Sequence, residues 1–229
     1  MKYKFYWPVL VQYADLLLEG LRITLLLFAV GAVLAMILGI VFGTLGSSRF
    51  RALRAAGEIY VEVNRNTPLV VKLFFLYFGF GMDAYHAAII GLAAHQSAYM
   101  AEIVRSGIES ISAGQLEAAL SSGLTRFQAM RRIILPQGLV IVIPPLTTQV
   151  LEALKNTSVA MTIAIPELTF QTQQIEAYSF RGFEAATAAT LMYLAIGVIV
   201  AAFAIALEWW LVKRRSITWT APRPVLATT

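Results

Sequence analysis

The sequence contains no cysteine and little charge. Without cysteine, the 229-residue chain can form neither disulfides nor thiolate metal sites, and its composition gives no indication of a redox compartment. Only 14% of the residues are charged and 59% are hydrophobic, whereas a soluble domain carries about a quarter charged residues. The mean hydropathy is +0.71. So much apolar surface exceeds what one small core can bury, which argues against a soluble helical protein and indicates a membrane protein.

The sequence also lacks the motifs of several kinds of enzyme. A phosphate-binding loop of the form G-x-x-x-x-G-K-[ST] needs a lysine after glycine, and no lysine of this chain follows glycine. His86 and His95 are nine residues apart, which is not the spacing of two metal ligands on one helix. No Ser/His/Asp arrangement indicates hydrolysis. We therefore predict that the chain is not an enzyme and holds no cofactor or metal ion of its own.

Long runs without formal charge predict membrane-spanning helices. Residues 23–48 and 185–207 are each long enough to cross a hydrocarbon layer of about 30 Å as a helix. Weaker runs predict three further spans at 58–81, 84–104 and 138–165. The predicted fold class is therefore an all-α integral membrane protein with five transmembrane helices.

Basic residues predict how these spans are oriented. They follow the first span, separate the third from the fourth and follow the fifth: Arg49, Arg51, Arg54, Arg105, Arg126, Arg131, Arg132, Lys213, Arg214 and Arg215. By the positive-inside rule these segments lie in the cytoplasm, so the amino terminus lies outside and the carboxyl terminus inside. Residues 1–215 then form a single transmembrane domain, and 216–229 form a cytoplasmic tail. Because the basic residues flank apolar runs, the net charge of +5 indicates membrane topology and not nucleic-acid binding.

The longest polar stretch, residues 106–137, contains a spaced motif. Glu117-Ala118-Ala119 is followed after three residues by Gly123, after nine more by Ile133, and after one more by Leu135-Pro136. Apolar residues at helical spacing, among them Phe127, predict a short amphipathic helix on the cytoplasmic surface.

Each position of the motif has a physical reading. Ala118 and Ala119 give a narrow helix surface that a partner protein can approach closely, with Glu117 as an acidic contact. Gly123 ends or bends the helix at little cost, and Pro136 starts the next span. We predict a coupling segment at about 113–137 that uses Glu117, Ala118, Ala119, Gly123, Leu135 and Pro136.

This spacing resembles the EAA loop of the permease subunits of bacterial ABC importers. Five further segments resemble the polar amino-acid permeases, of the histidine, glutamine, arginine or glutamate type: residues 65–69, 73–79, 98–105, 144–146 and 154–158. The resemblance covers roughly residues 15–212 and implies a permease in the bacterial cytoplasmic (inner) membrane. It further implies two ATPase subunits that hold ATP and Mg, a second permease subunit, identical or related, and an extracytoplasmic substrate-binding protein.

Polar residues inside the predicted spans are candidates for the substrate pathway, because an intramembrane charge is costly unless it is paired or faces water. Glu152 and Lys155 are three residues apart and share a helix face, so they could pair, either to fix packing or to line a cavity. Pro144-Pro145 are expected to break the hydrogen-bond ladder of the fourth span. The full candidate set is Lys72, Gln96, Ser97, Tyr99, Glu152, Lys155, Asn156, Thr157 and Ser158.

Lys72 carries the hypothesis about the substrate. The permease family that the chain resembles usually has glutamine at this position, so a cation here would favour acidic amino acids, glutamate or aspartate. Basic amino acids and glutamine are the alternatives. A secondary amino-acid transporter, the alternative class, would show an internal inverted repeat, and the sequence has no detectable repeat. An intramembrane enzyme would need paired catalytic residues on facing spans, whereas Glu152 and Lys155 share one helix.

Overall fold

The computed structural model of the protein describes residues 3–216, without the side chains of Leu135, Leu139 and 211–216. Its described residues form helices and no strands, which confirms the predicted all-α class. The α-helices are α1 (Pro8–Gln12), α2 (Ala14–Gly46), α3 (Arg51–Asn66), α4 (Leu69–Phe74), α5 (Ala84–Glu109), α6 (Ala113–Ser121), α7 (Arg126–Ala129), α8 (Leu135–Asn156), α9 (Leu168–Ser179) and α10 (Gly182–Ser216). π-Helical turns follow α4 (Phe75–Gly79) and α7 (Met130–Ile134), and a 3-10 helix follows α8 (Thr157–Ile163). The predicted tail, after Ser216, lies outside the described residues.

Two of the described helices are long and apolar enough to cross a membrane. They are α2 and the segment Gly182–Trp210 of α10, which correspond to the first and the fifth predicted span. A third is possible if the segments Arg126–Gly138 and Val140–Ile163, which meet at an angle of 51°, form one bent span. Length and composition therefore support two to three of the five predicted spans directly.

The prediction of one continuous helix over residues 58–81, the second span, is wrong. α3 ends at Asn66, and Thr67 has an extended backbone (φ −103°, ψ 121°) immediately before Pro68. Proline disfavours helical geometry in the residue before it and donates no backbone hydrogen bond, so the helix breaks there. The apolar part that remains, Leu69–Gly79, is a short helix.

Pro144 and Pro145 do not interrupt the fourth predicted span. α8 continues through both prolines, and the bend of 51° lies between Gly138 and Val140, about one turn before them. A proline ring clashes with the carbonyl four residues earlier and bends a helix on that side. The helix thus continues and bends, while its ladder lacks the two bonds that the prolines cannot donate.

α2 and α5 pack against each other through small residues of α2. A Cβ atom on Gly39 would lie 2.7 Å from the Cβ of Met100, and one on Gly43 would lie 2.5 Å from the carbonyl oxygen of Ala101. Because a larger residue at either position would push the two backbones apart, glycine permits this close contact between apolar helices.

The third predicted span begins at Ala84, as expected, and the helix continues to Glu109. Asp83 caps α5, because its carboxylate accepts hydrogen bonds from the backbone nitrogens of Tyr85 (3.0 Å) and His86 (3.2 Å). The side chain of His86 also contacts this carboxylate. Hydrogen bonds from His86 hold the pKa of Asp83 below its ordinary value. The bond from the His86 side chain has the larger effect, and the bond from its backbone nitrogen has the smaller one.

Candidate coupling segment and substrate pathway

The end of α6 is fixed by Gly123. The Gly123 nitrogen donates to the Leu120 carbonyl at 3.0 Å, and the Leu124 nitrogen donates to the Ala119 carbonyl at 3.2 Å. Gly123 has φ +83°, in the left-handed region that favours glycine. This pair of hydrogen bonds is a Schellman helix end. The prediction that Gly123 ends the helix is confirmed.

The coupling segment is divided into short elements and is not one amphipathic helix. α7 starts with a capping box, in which Gln128 N donates to Thr125 Oγ1 at 3.2 Å and Thr125 N donates to Gln128 Oε1 at 2.9 Å. The π-turn Met130–Ile134 then leads directly into α8, which has Pro136 in its first turn. α8 begins at Leu135, where the π-turn ends, without a break in the helical backbone from Arg126 to Gly138, and the Leu135 side chain lies outside the described residues.

The predicted coupling residues of α6 face in two directions. Ala119 is buried, whereas Glu117 and Ala118 are exposed. Leu120 in α6 and Phe127 in α7 are also exposed, Phe127 with 73% of its surface. The short helix therefore presents an acidic residue beside apolar side chains, which is a surface suited to contact with another protein.

A hydrogen bond that sequence reasoning missed connects α6 to α8. Gln137 Nε2 donates to Gln115 Oε1 at 2.5 Å, and it also donates to the Ile133 carbonyl at 3.1 Å. No periodic signal identifies such a pair, because the two glutamines lie in different helices. The bond therefore links α6 to the first turn of α8.

Lys72 lies between α3 and α5. Its Nζ donates to the Asn64 carbonyl at 2.6 Å and contacts His95 Nδ1 at 3.1 Å. A cavity of about 280 Å³ is lined by Lys72, with Thr67 and Asn64 among the other lining residues. His95 was not among the predicted pathway residues, and only the packing of α4 against α5 brings it to Lys72.

Tyr99 lies beside the same contact. Its ring meets the His95 ring edge to face with centroids 5.3 Å apart, and the Arg65 guanidinium lies 5.5 Å from the Tyr99 centroid. Tyr99 thus connects a second cation to the Lys72 and His95 pair.

Gln96 and Asn156 are brought together by the fold. Gln96 Nε2 donates to the carbonyl oxygen (2.8 Å) and to Oε1 (2.6 Å) of Gln149, and Asn156 Nδ2 donates to Gln96 Oε1 at 3.2 Å. Gln96 is 3% exposed, so these bonds satisfy a buried amide. Gln149 was missed in the sequence, where an uncharged residue in an apolar run gives no distinct signal.

Ser97, Thr157 and Ser158 make hydrogen bonds within the chain. The Ser97 hydroxyl lies 2.6 Å from the Tyr60 hydroxyl, the Thr157 hydroxyl donates to the Leu154 carbonyl at 2.7 Å, and the Ser158 hydroxyl donates to the Lys155 carbonyl at 2.8 Å. Ser97 and Thr157 are fully buried. These contacts fix helix packing and helix ends.

Glu152 and Lys155 form the predicted ion pair. The Lys155 side chain is 63% exposed and the Glu152 side chain 44% exposed, so the pair lies on the surface of this single chain. Across the part of the chain that the structure describes, no group of three or more His, Asp or Glu side chains could hold a metal ion.

The sequence places this arrangement in a known family. Residues 23–213 match the family described as the inner membrane component of binding-protein-dependent transport systems. The chain belongs to this family. It is a permease subunit of an ABC transporter, as its EAA-type motif predicts. ATP is hydrolysed by a separate ATPase subunit, so the permease is not an enzyme.

Relatives of the permease cover most of its length. It is 37% identical over 199 residues to the probable amino-acid ABC transporter permease protein PatM of Vibrio harveyi. This alignment covers 83% of this chain and 89% of PatM. It is 33% identical over 204 residues to the glutamine transport system permease protein GlnP of Escherichia coli (strain K12). This alignment covers 86% of this chain and 93% of GlnP.

A solved structure has a similar fold. The permease matches a chain from the crystal structure of an amino acid ABC transporter with histidines at a TM-score of 0.82 and 30% identity. The match covers 90% of the permease and 99% of that chain. The family assignment sets aside the secondary transporter and the intramembrane enzyme as alternatives.

Proposed function

We propose that the permease imports polar amino acids across the bacterial cytoplasmic membrane together with a second permease subunit, identical or related. It crosses the membrane five times, with its amino terminus outside and its carboxyl terminus inside, and residues 1–215 form one transmembrane domain. An extracytoplasmic binding protein delivers the substrate to the segments at 79–85 and 166–184, and in the second of these α9 (Leu168–Ser179) provides the contact. The names of PatM and GlnP, an amino-acid permease and a glutamine permease, support this substrate class.

Two ATPase subunits, which bind ATP and Mg, dock at the coupling segment. The exposed Glu117 and Ala118 support this proposal, because they stand beside a helix end that Gly123 fixes. The bond from Gln137 to Gln115 gives the docked helix a connection to α8. Closure of the ATPases would then move α6 and, through that bond, the bent helix that carries Glu152 and Lys155.

The observation that carries the substrate proposal is the cation at the cavity. Two of the three N–H donors of Lys72 have partners in the described residues, Asn64 and His95, and the side chain lines a cavity of about 280 Å³. The remaining donor and the positive charge favour a carboxylate. An acidic amino acid carries one more carboxylate than glutamine, so we infer that glutamate or aspartate is preferred over glutamine and over basic amino acids.

Substrate preference tests this proposal. The purified permease complex is reconstituted in vesicles, and ATP-driven uptake of glutamate, glutamine and arginine is measured for the wild type and for Lys72→Gln. We expect glutamate to be preferred, and the variant to lose about tenfold of its glutamate affinity, equivalent to about 1.4 kcal/mol, with little change for glutamine. Arg54→Gln removes an exposed cation that does not line the cavity and is the matched control. An unchanged preference in Lys72→Gln would contradict the substrate assignment.

A further inference from the structure

The amino-terminal segment is fixed to the start of α10 by a buried carboxylate. Glu184 is fully buried. It accepts hydrogen bonds from the Tyr3 hydroxyl, from the Tyr6 backbone nitrogen at 3.0 Å and from Arg181 Nη1 at 3.4 Å. Arg181 also donates to the Lys4 carbonyl at 3.3 Å. A buried charge with this many partners holds its surroundings in one arrangement, so residues 3–6 have a defined position.

α1 continues this attachment. Val9 is 2% exposed and packs in a cluster with Ile175 and Ala185. The chain therefore passes from Tyr3 to α2 along the ends of α9 and α10, with its backbone held by polar and apolar contacts.

Aromatic side chains of this fixed segment point outward. Tyr3, Trp7 and Phe183 are 58%, 61% and 63% exposed. Their rings contact one another through Phe5, whose centroid lies 4.3 Å from that of Trp7 and 5.9 Å from that of Phe183. Tyr3 meets Phe183 edge to face at 5.5 Å. With Phe180, these residues are called the terminal aromatic surface.

Phe180 occupies a position that ordinarily favours glycine. It ends α9 with φ 56°, in the left-handed region, where a side chain costs about 1–2 kcal/mol. The Phe180 nitrogen donates to the Glu176 carbonyl at 2.8 Å, which closes the end of α9, while the residue is 90% exposed. The helix end thus holds a large aromatic side chain in an exposed position.

The lipid bilayer fits this surface. α10 begins at Gly182, and none of the residues in its most apolar window is buried inside the chain. Its exposed apolar side chains, such as Leu194 and Val198, continue from Phe183 along the helix. Aromatic residues are enriched where a lipid-facing surface reaches the headgroups, and the exposed Lys4 supplies a cation for lipid phosphates.

We propose that the terminal aromatic surface lies in the membrane interface among the lipid headgroups, and that the Glu184 contacts hold it there. It anchors the adjoining ends of α2 and α10 at a fixed depth. The assignment of this surface to the outer leaflet rests on the proposed orientation. The contact with lipid does not depend on the orientation, and it can be measured in an assay that does not involve transport.

Tryptophan quenching tests the lipid contact. In the reconstituted complex, Trp209, Trp210 and Trp219 of the permease are replaced by phenylalanine and any tryptophans of the other subunits are removed as well, so that Trp7 of the permease gives the emission. We expect blue-shifted Trp7 emission that brominated phosphatidylcholine quenches most strongly when the bromines lie near the headgroup. In a second variant Trp7 is also replaced by phenylalanine and Phe180 by tryptophan. We expect the emission of this new tryptophan to be blue-shifted and quenched in the same way. Phe127→Trp is the control, because Phe127 is comparably exposed but lies in the coupling segment.

A second measurement keeps the natural tryptophans. Because the permease has no cysteine, Phe180→Cys can be spin-labelled on the purified permease before the other subunits are added, and we expect greater accessibility of the label to oxygen than to a water-soluble nickel complex. Quenching of Trp7 by aqueous iodide but not by brominated lipid would overturn the proposal. So would shielding of Trp7 that occurs only when the substrate-binding protein is added, because the binding protein would then be the occupant.

Discussion

Gln137 of α8 donates a hydrogen bond from Nε2 to Oε1 of Gln115 in α6, over 2.5 Å. Gln137 lies in the first turn of α8, the bent helix that carries the Glu152 and Lys155 pair, and Gln115 belongs to the short helix proposed to contact the ATPase. The bond therefore joins the start and the end of the coupling segment, directly before the bend of α8.

Gln137→Leu should weaken coupling. The substitution removes the donor and leaves the Gln115 oxygen without it, at a cost of about 1 kcal/mol. We expect transport per ATP hydrolysed to fall several-fold, while ATP hydrolysis by the complex continues. Gln12→Leu, at an exposed position of α1, is the control and should leave the ratio unchanged. Equal ratios in the two variants would exclude a coupling role for this bond.

Gly123→Ala should destabilise the end of α6. A Cβ atom would have open space at this position, so the cost comes only from the left-handed backbone and is about 1–2 kcal/mol. We expect less ATPase to co-purify with the permease. Gly123→Asn should be milder, because asparagine tolerates this conformation. Gly114→Ala, inside the same helix and without a close neighbour, should have no adverse effect. If Gly123→Ala and Gly114→Ala gave the same assembly, the geometry of this helix end would not matter for docking.

Glu117→Lys should reduce both docking and transport. Glu117 is exposed, so reversing its charge alters the surface offered to a partner and leaves the interior of the permease intact. Glu117→Gln keeps the size and removes only the charge, and we expect an intermediate loss. Binding of the ATPase to permease in nanodiscs at two salt concentrations measures this, because an electrostatic contact weakens in salt. Full binding by Glu117→Lys would argue against α6 as the docking site.

Gly43→Ala should destabilise the contact of α2 with α5. The added Cβ would lie 2.5 Å from the Ala101 carbonyl oxygen, so one backbone must shift, at a cost of about 1–3 kcal/mol. Gly197→Ala adds the same group in α10, where nothing lies within 4 Å. Thermal unfolding of the two variants in detergent should show a lower transition temperature for Gly43→Ala only.

The orientation can be tested because the natural chain has no cysteine. Ala52→Cys, at an exposed position after α2, should resist a membrane-impermeant maleimide in intact cells, whereas Gln173→Cys in α9 should react. After the membrane is permeabilised, both should react. The opposite pattern in intact cells would reverse the proposed topology, and it would move the terminal aromatic surface to the inner leaflet without affecting its contact with lipid.

The sequence by itself determined the features that depend on local chemistry. Uncharged runs identified α2 and α10, and the spacing from Glu117 to Pro136 identified the family and the helix end at Gly123. The ion pair of Glu152 with Lys155 followed from their separation along one helix. The break at Thr67 was equally local, since Pro68 causes it, and the apolar residues on both sides concealed it.

Only the tertiary structure decided which distant residues meet. His95 contacts Lys72, Gln149 satisfies Gln96, and Glu184 binds Tyr3 across a separation of 181 residues. Periodicity shows which side of a helix is apolar, but partners across a helix interface depend on the crossing and the rotation of both helices. Those are set by packing, as where glycines let α2 approach α5, and no local pattern of residues encodes them.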